Sequence, residues 1–319
     1  MLCQIETIQC LRKMIEDRFP EMELSVCYGS LALPQTCNDS KISNDSNIKR
    51  DLDKETYLSG WTSNINKPLL DFIFVVNNSR GWHSMNIIKN PNDYSLLSRY
   101  GGSNYITFVQ NIGSGVFYNL YIPIEWKLYI KQNIDTQIKY GIIGTQKLIN
   151  DLVYWESIYV SGRLHKPTIF LQNNTNEYNL NELINTYNND INNIINKNVN
   201  DISLKEALVA NWDYAVAVSL LLLYCQHNGK NEYTLRDIFL KITSLSYLGD
   251  MRMNFAEDNS KVNRIVNGSY KYFEELYMPI LLKYIEPIND DNNLYKFKDN
   301  IDKEYLIKKI PKNLRDTME

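Results

Sequence analysis

A charge interrupts the most apolar stretch of the amino-terminal half: Asp71 lies inside Leu69-Leu70-Asp71-Phe72-Ile73-Phe74-Val75-Val76. A buried carboxylate costs roughly several kcal/mol unless it is paired or bound to a cation. Lys67, four residues earlier, is one partner within reach in sequence. A second short strand, Leu24 to Tyr28, ends in Gly29-Ser30. Together these pieces suit a nucleoside triphosphate. The glycine lets backbone approach the phosphates, and the serine hydroxyl with helix N–H groups holds their oxygens. The strand carboxylate holds Mg²⁺, which bridges those phosphates.

Strand, Gly-Ser opening a helix, then a strand bearing a carboxylate is the arrangement of polymerase-β-type nucleotidyltransferases. The elements needed to position it are legible on either side. Ile5, Ile8, Leu11 and Ile15 keep helical spacing up to Phe19-Pro20. Residues 35–66, rich in Asn, Asp, Ser and Lys, read as a long loop. Ser103–Gln110 and Gly115–Ile122 alternate aromatic and β-branched residues and predict strands. Thr145 is an N-cap type for a helix running to about Tyr159. Gly162 to Pro167 predicts a turn into the strand Thr168–Leu171. Helices are predicted over Ser203–Val209, Trp212–His227, Thr234–Ile242 and Asn259–Ile285, the last broken at Pro279.

The chain has 319 residues, room for two domains. With 44% hydrophobic and 22% charged residues it can bury a core, which excludes disorder throughout. Lys plus Arg total 34 against 37 acids, a net charge of -3, so bulk duplex binding is excluded as the main activity and no nucleic-acid partner is expected. Asparagine occurs 40 times, with 13 between residues 172 and 200, where helical spacing nonetheless persists. Such an excess reads as the imprint of an AT-rich genome, and the Asn-rich stretch as a domain boundary. Five cysteines (Cys3, Cys10, Cys27, Cys37, Cys225) without a CxxC pair, and three histidines, argue against a zinc site or disulfide framework. The longest apolar run, Ala215–Cys225, holds eleven residues and reads as too short to span a bilayer.

Several spaced blocks resemble the Tam41 family of mitochondrial-type phosphatidate cytidylyltransferases, the CDP-diacylglycerol synthases. They begin with Tyr28-Gly29-Ser30, the run Lys67 to Val76, Trp82-His83 with Asn86, and Asn90 with Tyr94-Ser95. Next come Gly115-Val116 with Tyr118-Asn119, Lys139-Tyr140-Gly141, Asp151-Leu152 with Trp155, and Gly162-Arg163-Leu164-His165-Lys166-Pro167. Tyr247 with Gly249-Asp250 and Arg252-Met253, then Glu257-Asp258 with Lys261-Val262, complete the series. The resemblance implies Mg²⁺-dependent transfer of CMP from CTP to phosphatidic acid at a membrane surface, with pyrophosphate released.

That resemblance implies an α/β fold: a polymerase-β-type nucleotidyltransferase domain with a mixed sheet over residues 1–171, then a mainly helical, winged-helix-like domain over 172–286. Residues 287–319 are expected to form a C-terminal tail close to a membrane. Asp71, Lys67, Arg163 and Lys166 are the implied catalytic residues. Tyr28, Gly29, Ser30, Asn119, His165, Arg252 and Lys261 are implied to bind the nucleotide or head group. Metal binding falls to Asp71, with Asp250 and Asp258, and Glu257 beside them, as candidates for the missing second carboxylate; Asp151 is weaker. Trp82-His83 reads as a packed corner.

The chain departs from the family at Ile73, where a second strand carboxylate is usual, and at Leu31-Ala32-Leu33 and Asp93. Two rivals remain at this level: transfer to another acceptor, and an inactive adaptor of the same fold. No cleavable leader or presequence is evident, so a bacterial enzyme on the cytoplasmic face of its membrane is expected, with the mitochondrial inner membrane as the alternative.

Overall fold

Contacts divide the chain into one unit of Met1–Thr145 with Thr168–Glu177, and another of Gln146–Pro167 with Tyr178–Glu319. The computed structural model describes residues 2–29, 69–125, 136–171, 183–184, 194, 197–227, 229, 231–247, 260–289 and 293–316. The expected boundary after Leu171 is therefore drawn differently by packing. Residues 146–167 go with the helical unit, and the chain then returns to the first.

In the first unit, helix α1 (Leu2–Arg18) is followed by β1 (Leu24–Tyr28) and β2 (Leu69–Val76). Helices α2 (Ser79–Lys89) and α3 (Leu96–Ile112) precede β3 (Val116–Pro123), β4 (Gln137–Gly144) and β5 (Ile169–Leu171). The described strands form a mixed sheet in the order β3-β4-β2-β1-β5. Strand β2 runs antiparallel to β1 and parallel to β4, which puts Asp71 between Tyr28 and Lys139. Alternation along the strands sends Phe72, Phe74, Tyr140 and Ile142 into a core with Leu11 and Ile15 of α1 and Phe19 just after it. The Phe19 ring lies 4.9 Å from Phe74 and 4.8 Å from Tyr140.

One expected strand is a helix. Ser103–Gln110 belongs to α3, whose backbone kinks at Gly102 (φ 65°). The Tyr105-to-Val109 run mimics strand composition, but Ser95 caps the helix and only Ser98, Ile106 and Gln110 turn inward.

The second unit opens with α4 (Thr145–Tyr154) and α5 (Ser161–Leu164), then α6 (Leu204–Gln226), β6 (Tyr233–Thr234), α7 (Leu235–Leu245) and α8 (Ser260–Leu281). It closes with β7 (Ile285–Asn289), β8 (Leu294–Phe297), α9 (Lys303–Lys309) and α10 (Lys312–Asp316). Helix α4 stops at Tyr154, short of the expected Tyr159. Capping boxes start α6 and α7: Ser203 with Glu206, and Thr234 with Asp237. Helix α6 fuses two expected helices and runs 23 residues, so the eleven-residue reading understated it. Among the described residues it is the one helix long and apolar enough to cross a membrane, yet 83% of its apolar window is buried, as in a core helix. Helix α8 carries Pro279 without ending there, and its irregular residue is Ser269. Strands β6, β8 and β7 pair antiparallel in that order. Residues beyond 287 are thus no loose tail: Phe297, Ile301, Leu306 and Ile310 are buried.

Candidate functional site

Asp71 is the third residue of β2, near the end of the sheet where β1 finishes and β4 begins. Its carboxylate is 23% exposed and lies 3.3 Å from Lys139 Nζ. Lys139 had been only part of a matched block; register across the parallel β2/β4 pair is what makes it the neighbour of Asp71. The ammonium also sits 4.8 Å from the Tyr118 ring centroid. Tyr118 reaches over Gly141, where a Cβ would stand 2.6 Å from the ring. Its hydroxyl meets that of Tyr28 at 3.5 Å.

Gly29 completes this cluster. Its φ is +89°, and a Cβ there would stand 2.9 Å from Asp71 Oδ2. The position requires glycine twice over, for backbone conformation and for approach to the carboxylate. We expect Gly29→Ala to cut turnover at least about tenfold and to cost about 1–2 kcal/mol of stability, read by steady-state kinetics and urea denaturation. Unchanged kinetics would detach Gly29 from the site.

Asn119 does not join Asp71. It pairs across the sheet with Tyr140, while Tyr118 pairs with Gly141, so strand alternation turns Asn119 to the opposite face. There a buried polar network lies against α2. Asn86 Nδ2 donates to Tyr94 Oη (3.0 Å) and Tyr140 Oη (3.1 Å), and Asn90 donates to Asn86 Oδ1 (2.8 Å). Tyr140 Oη donates to Asp93 Oδ2 at 2.7 Å, and Arg18 pairs with Asp93 Oδ1 at 2.6 Å. Those bonds give Asp93 a structural role. His83 Nδ1 meets Tyr94 Oη at 2.9 Å.

Of the predicted cations, Arg163, Lys166 and Lys261 are described in the second unit. Lys166 Nζ donates to Ser246 Oγ at 3.1 Å and lies 4.8 Å from the Tyr247 ring centroid. Lys261 Nζ approaches the same ring at 5.6 Å. Two residues far apart in sequence thus converge on one aromatic ring. Arg163 stacks on Tyr159 at 3.9 Å and donates to the Tyr159 carbonyl.

His165 departs from expectation: it is fully buried, not an open donor. Asn211 Nδ2 donates to the Ser161 carbonyl, so Asn211 Oδ1 accepts from Trp155 Nε1 (2.8 Å) and His165 Nε2 (3.1 Å). The segment expected to be a turn is α5 and its C-cap. Burial lowers the pKa of His165 to about 4, and that of His83 likewise to about 4. Both rings are neutral near pH 7.

Unfolded, each would titrate at 6.5. Between pH 6.5 and 4 the unfolded chain therefore binds more protons, and stability falls on acidification. Each unit, holding one of these histidines, is expected to lose about 2 kcal/mol between pH 7 and pH 5, read from urea midpoints. His165→Gln should flatten that slope in the second unit.

Asp151 is not a metal ligand here. It is 1% exposed, and its Oδ1 accepts from Ser157 N (2.9 Å), Ser157 Oγ (2.7 Å) and Ile158 N (3.1 Å). Its Oδ2 accepts from Val160 N (3.1 Å) and Ser161 N (2.9 Å). All of its acceptor capacity is spent shaping the loop into α5. Among the described residues, no group of three or more His, Cys, Asp or Glu could hold a metal. Lys67, Ser30, Asp250, Arg252, Glu257 and Asp258 lie outside the described residues.

Comparisons agree on one family. The profile of Tam41/Mmp37, described as mitochondrial phosphatidate cytidylyltransferase, matches residues 11–192 and 189–319. A Danio rerio protein of that name is 32% identical over 271 residues, 84% of this chain and 62% of the relative. The Homo sapiens protein is 34% identical over 223 residues, covering 70% and 40% respectively. The Schizosaccharomyces pombe protein is 29% identical over 265 residues, covering 77% and 56%. The chain spans about half the length of these curated relatives. All of them are eukaryotic and named mitochondrial, which overturns the expectation of a bacterial membrane and points to mitochondria.

Proposed function

The chain belongs to the Tam41/Mmp37 family, and from that premise we propose that it transfers CMP from CTP to phosphatidic acid, releasing pyrophosphate. The observation that carries this reading is Asp71, a 23%-exposed strand carboxylate paired with Lys139 and approached so closely by Gly29 that a Cβ there would meet it. Strand order and the close approach of Gly29 to Asp71 support a polymerase-β-type nucleotidyltransferase fold for the first unit. In the second, the order helix (α6), strand, helix, helix, strand, strand, with β6-β8-β7 pairing, supports a winged-helix assignment.

The acceptor is a phosphate monoester whose second pKa is about 6, so near pH 7 its oxygen is already the nucleophile. That oxygen forms a bond to the α-phosphorus of CTP while the bond to the bridging oxygen breaks. No side-chain base is required, which agrees with two histidines held neutral in buried networks. The demand is for positive charge and orientation. Lys139 supplies a cation beside Asp71, and we assign Lys166 and Lys261 as the phosphate-binding cations of the second unit.

The donor set fits Mg²⁺ in the way that ion is commonly held, by one or two carboxylates with substrate phosphates and water. Asp71 would be the protein ligand described here, while the other metal candidates, Asp250 and Asp258, lie outside the described residues. Bound there, the ion would neutralise phosphate charge and stabilise that developing on the pyrophosphate. The lipid acceptor implies peripheral contact with a membrane.

The test is the full chain with Mg²⁺, labelled CTP and phosphatidic acid in mixed micelles. Formation of lipid-linked CMP is expected, and its absence would sink the proposal. Product with ATP or GTP at equal rate would overturn the assignment to CTP.

A further inference from the structure

We propose that the α2–α3 hairpin of the first unit is the surface that lies against an anionic phospholipid bilayer. Helix α3 is inverted relative to an ordinary surface helix. Its inward positions include Ser98 and Gln110, while Leu97 (64% exposed), Tyr100 (89%), Phe108 (63%) and Ile112 (72%) face outward. Leu97 and Tyr100, three apart before the kink at Gly102, share one side of their segment, and Phe108 and Ile112, four apart after it, share one side of theirs. A bond of 2.8 Å between Ser84 and Ser103 lays α2 alongside, and α2 adds Ile88 at 83% exposure. Isolated exposed apolar residues are ordinary, but a stripe of them across two packed helices marks a contact surface.

Charge says what kind of surface it meets. The charged residues of the two helices are Arg80, Lys89 and Arg99, with no Asp or Glu among them. Asp93, in the connection between the helices, is taken up by Arg18 and Tyr140. A second copy related by two-fold symmetry would set these cations against one another, with no acid on either helix to answer them. An anionic lipid surface accepts both the apolar stripe and its cations.

The inference rests on the lipid-acceptor reading above and is measured apart from it, by flotation of the full chain without CTP. Vesicles of phosphatidylcholine alone are compared with vesicles containing phosphatidylglycerol, an anionic lipid that is not the acceptor. Wild type is expected to float with the anionic vesicles. Phe108→Ser with Ile112→Ser should weaken partition about tenfold or more, and Arg99→Glu should weaken it independently. Both variants should keep the wild-type circular-dichroism melt and turnover of a short-chain, water-soluble phosphatidate. Wild type that stays unbound, or variants that float as wild type does, would overturn the proposal. So would a dimer in sedimentation velocity that the double variant disperses. Flotation without turnover would leave this surface standing and remove the proposed reaction.

Discussion

Asp71→Asn is expected to lower CMP transfer about a thousandfold or more while leaving the protein folded. Asparagine keeps the shape of the side chain and removes its charge. It can neither hold a divalent cation as a carboxylate does nor fix Lys139 by charge. The folded state has little at stake, because Asp71 and Lys139 are each about a quarter exposed (23% and 27%) and their pair is worth less than about 1 kcal/mol. The signature is thus a collapse in kcat/KM with an unfolding free energy within about 1 kcal/mol of wild type. A variant retaining a tenth of wild-type activity would move the reaction away from Asp71. Lys139→Met should produce a smaller fall, about tenfold to a hundredfold, since other cations share the phosphate charge.

The second large effect is one of stability. Asp151→Ala strips the acceptor from four backbone N–H groups and one hydroxyl in a buried loop. The loop carries Trp155 and Ile158 at φ 53°, a costly conformation for non-glycine residues and more so for a β-branched one. Together with the bond of Trp155 Nε1 to Asn211, the carboxylate's bonds to the N–H groups of Ser157, Ile158, Val160 and Ser161 offset that strain. Losing them is expected to cost about 3–5 kcal/mol in the second unit, measured by urea denaturation. Ser157→Ala, which removes one of the five bonds, should cost about 1 kcal/mol. Activity should fall along with stability, because the same loop delivers Arg163 and Lys166. Were Asp151 a metal ligand instead, added Mg²⁺ would stabilise wild type and not Asp151→Ala.

What was legible in the sequence followed physical necessity. Asp71 announced itself because an unexplained charge in an eight-residue apolar strand is expensive, and Gly29 because a strand ended on it. Lys139 could not be seen as its partner, since nothing in the chain states the parallel register of β2 and β4. Helix α3 was read as a strand because its outward side is apolar, so the usual contrast between buried and solvated positions was missing. The feature that misled is the one on which the bilayer contact rests. His165 sits among cations in sequence and looked like one of them. Burial against Trp155 and Asn211 makes it neutral, and burial is not written in a six-residue motif. Asp151 showed the same blindness: a carboxylate bonded by backbone donors has no signature in residue type.

Strand β5 carries a further consequence for how the molecule is made. It pairs with β1 through Cys27 and Ile169, Val26 and Phe170, and Ser25 and Leu171. The residues between β4 and β5 belong largely to the other unit. During synthesis β1 leaves the ribosome early and keeps a bare hydrogen-bonding edge until Leu171 follows. Over that interval the nascent chain is open to wrong strand partners. A protein cut after Gly144 would keep that edge for good. Expressed alone, such a fragment should aggregate, and it should become soluble when the peptide containing Ile169–Leu171 is supplied in trans.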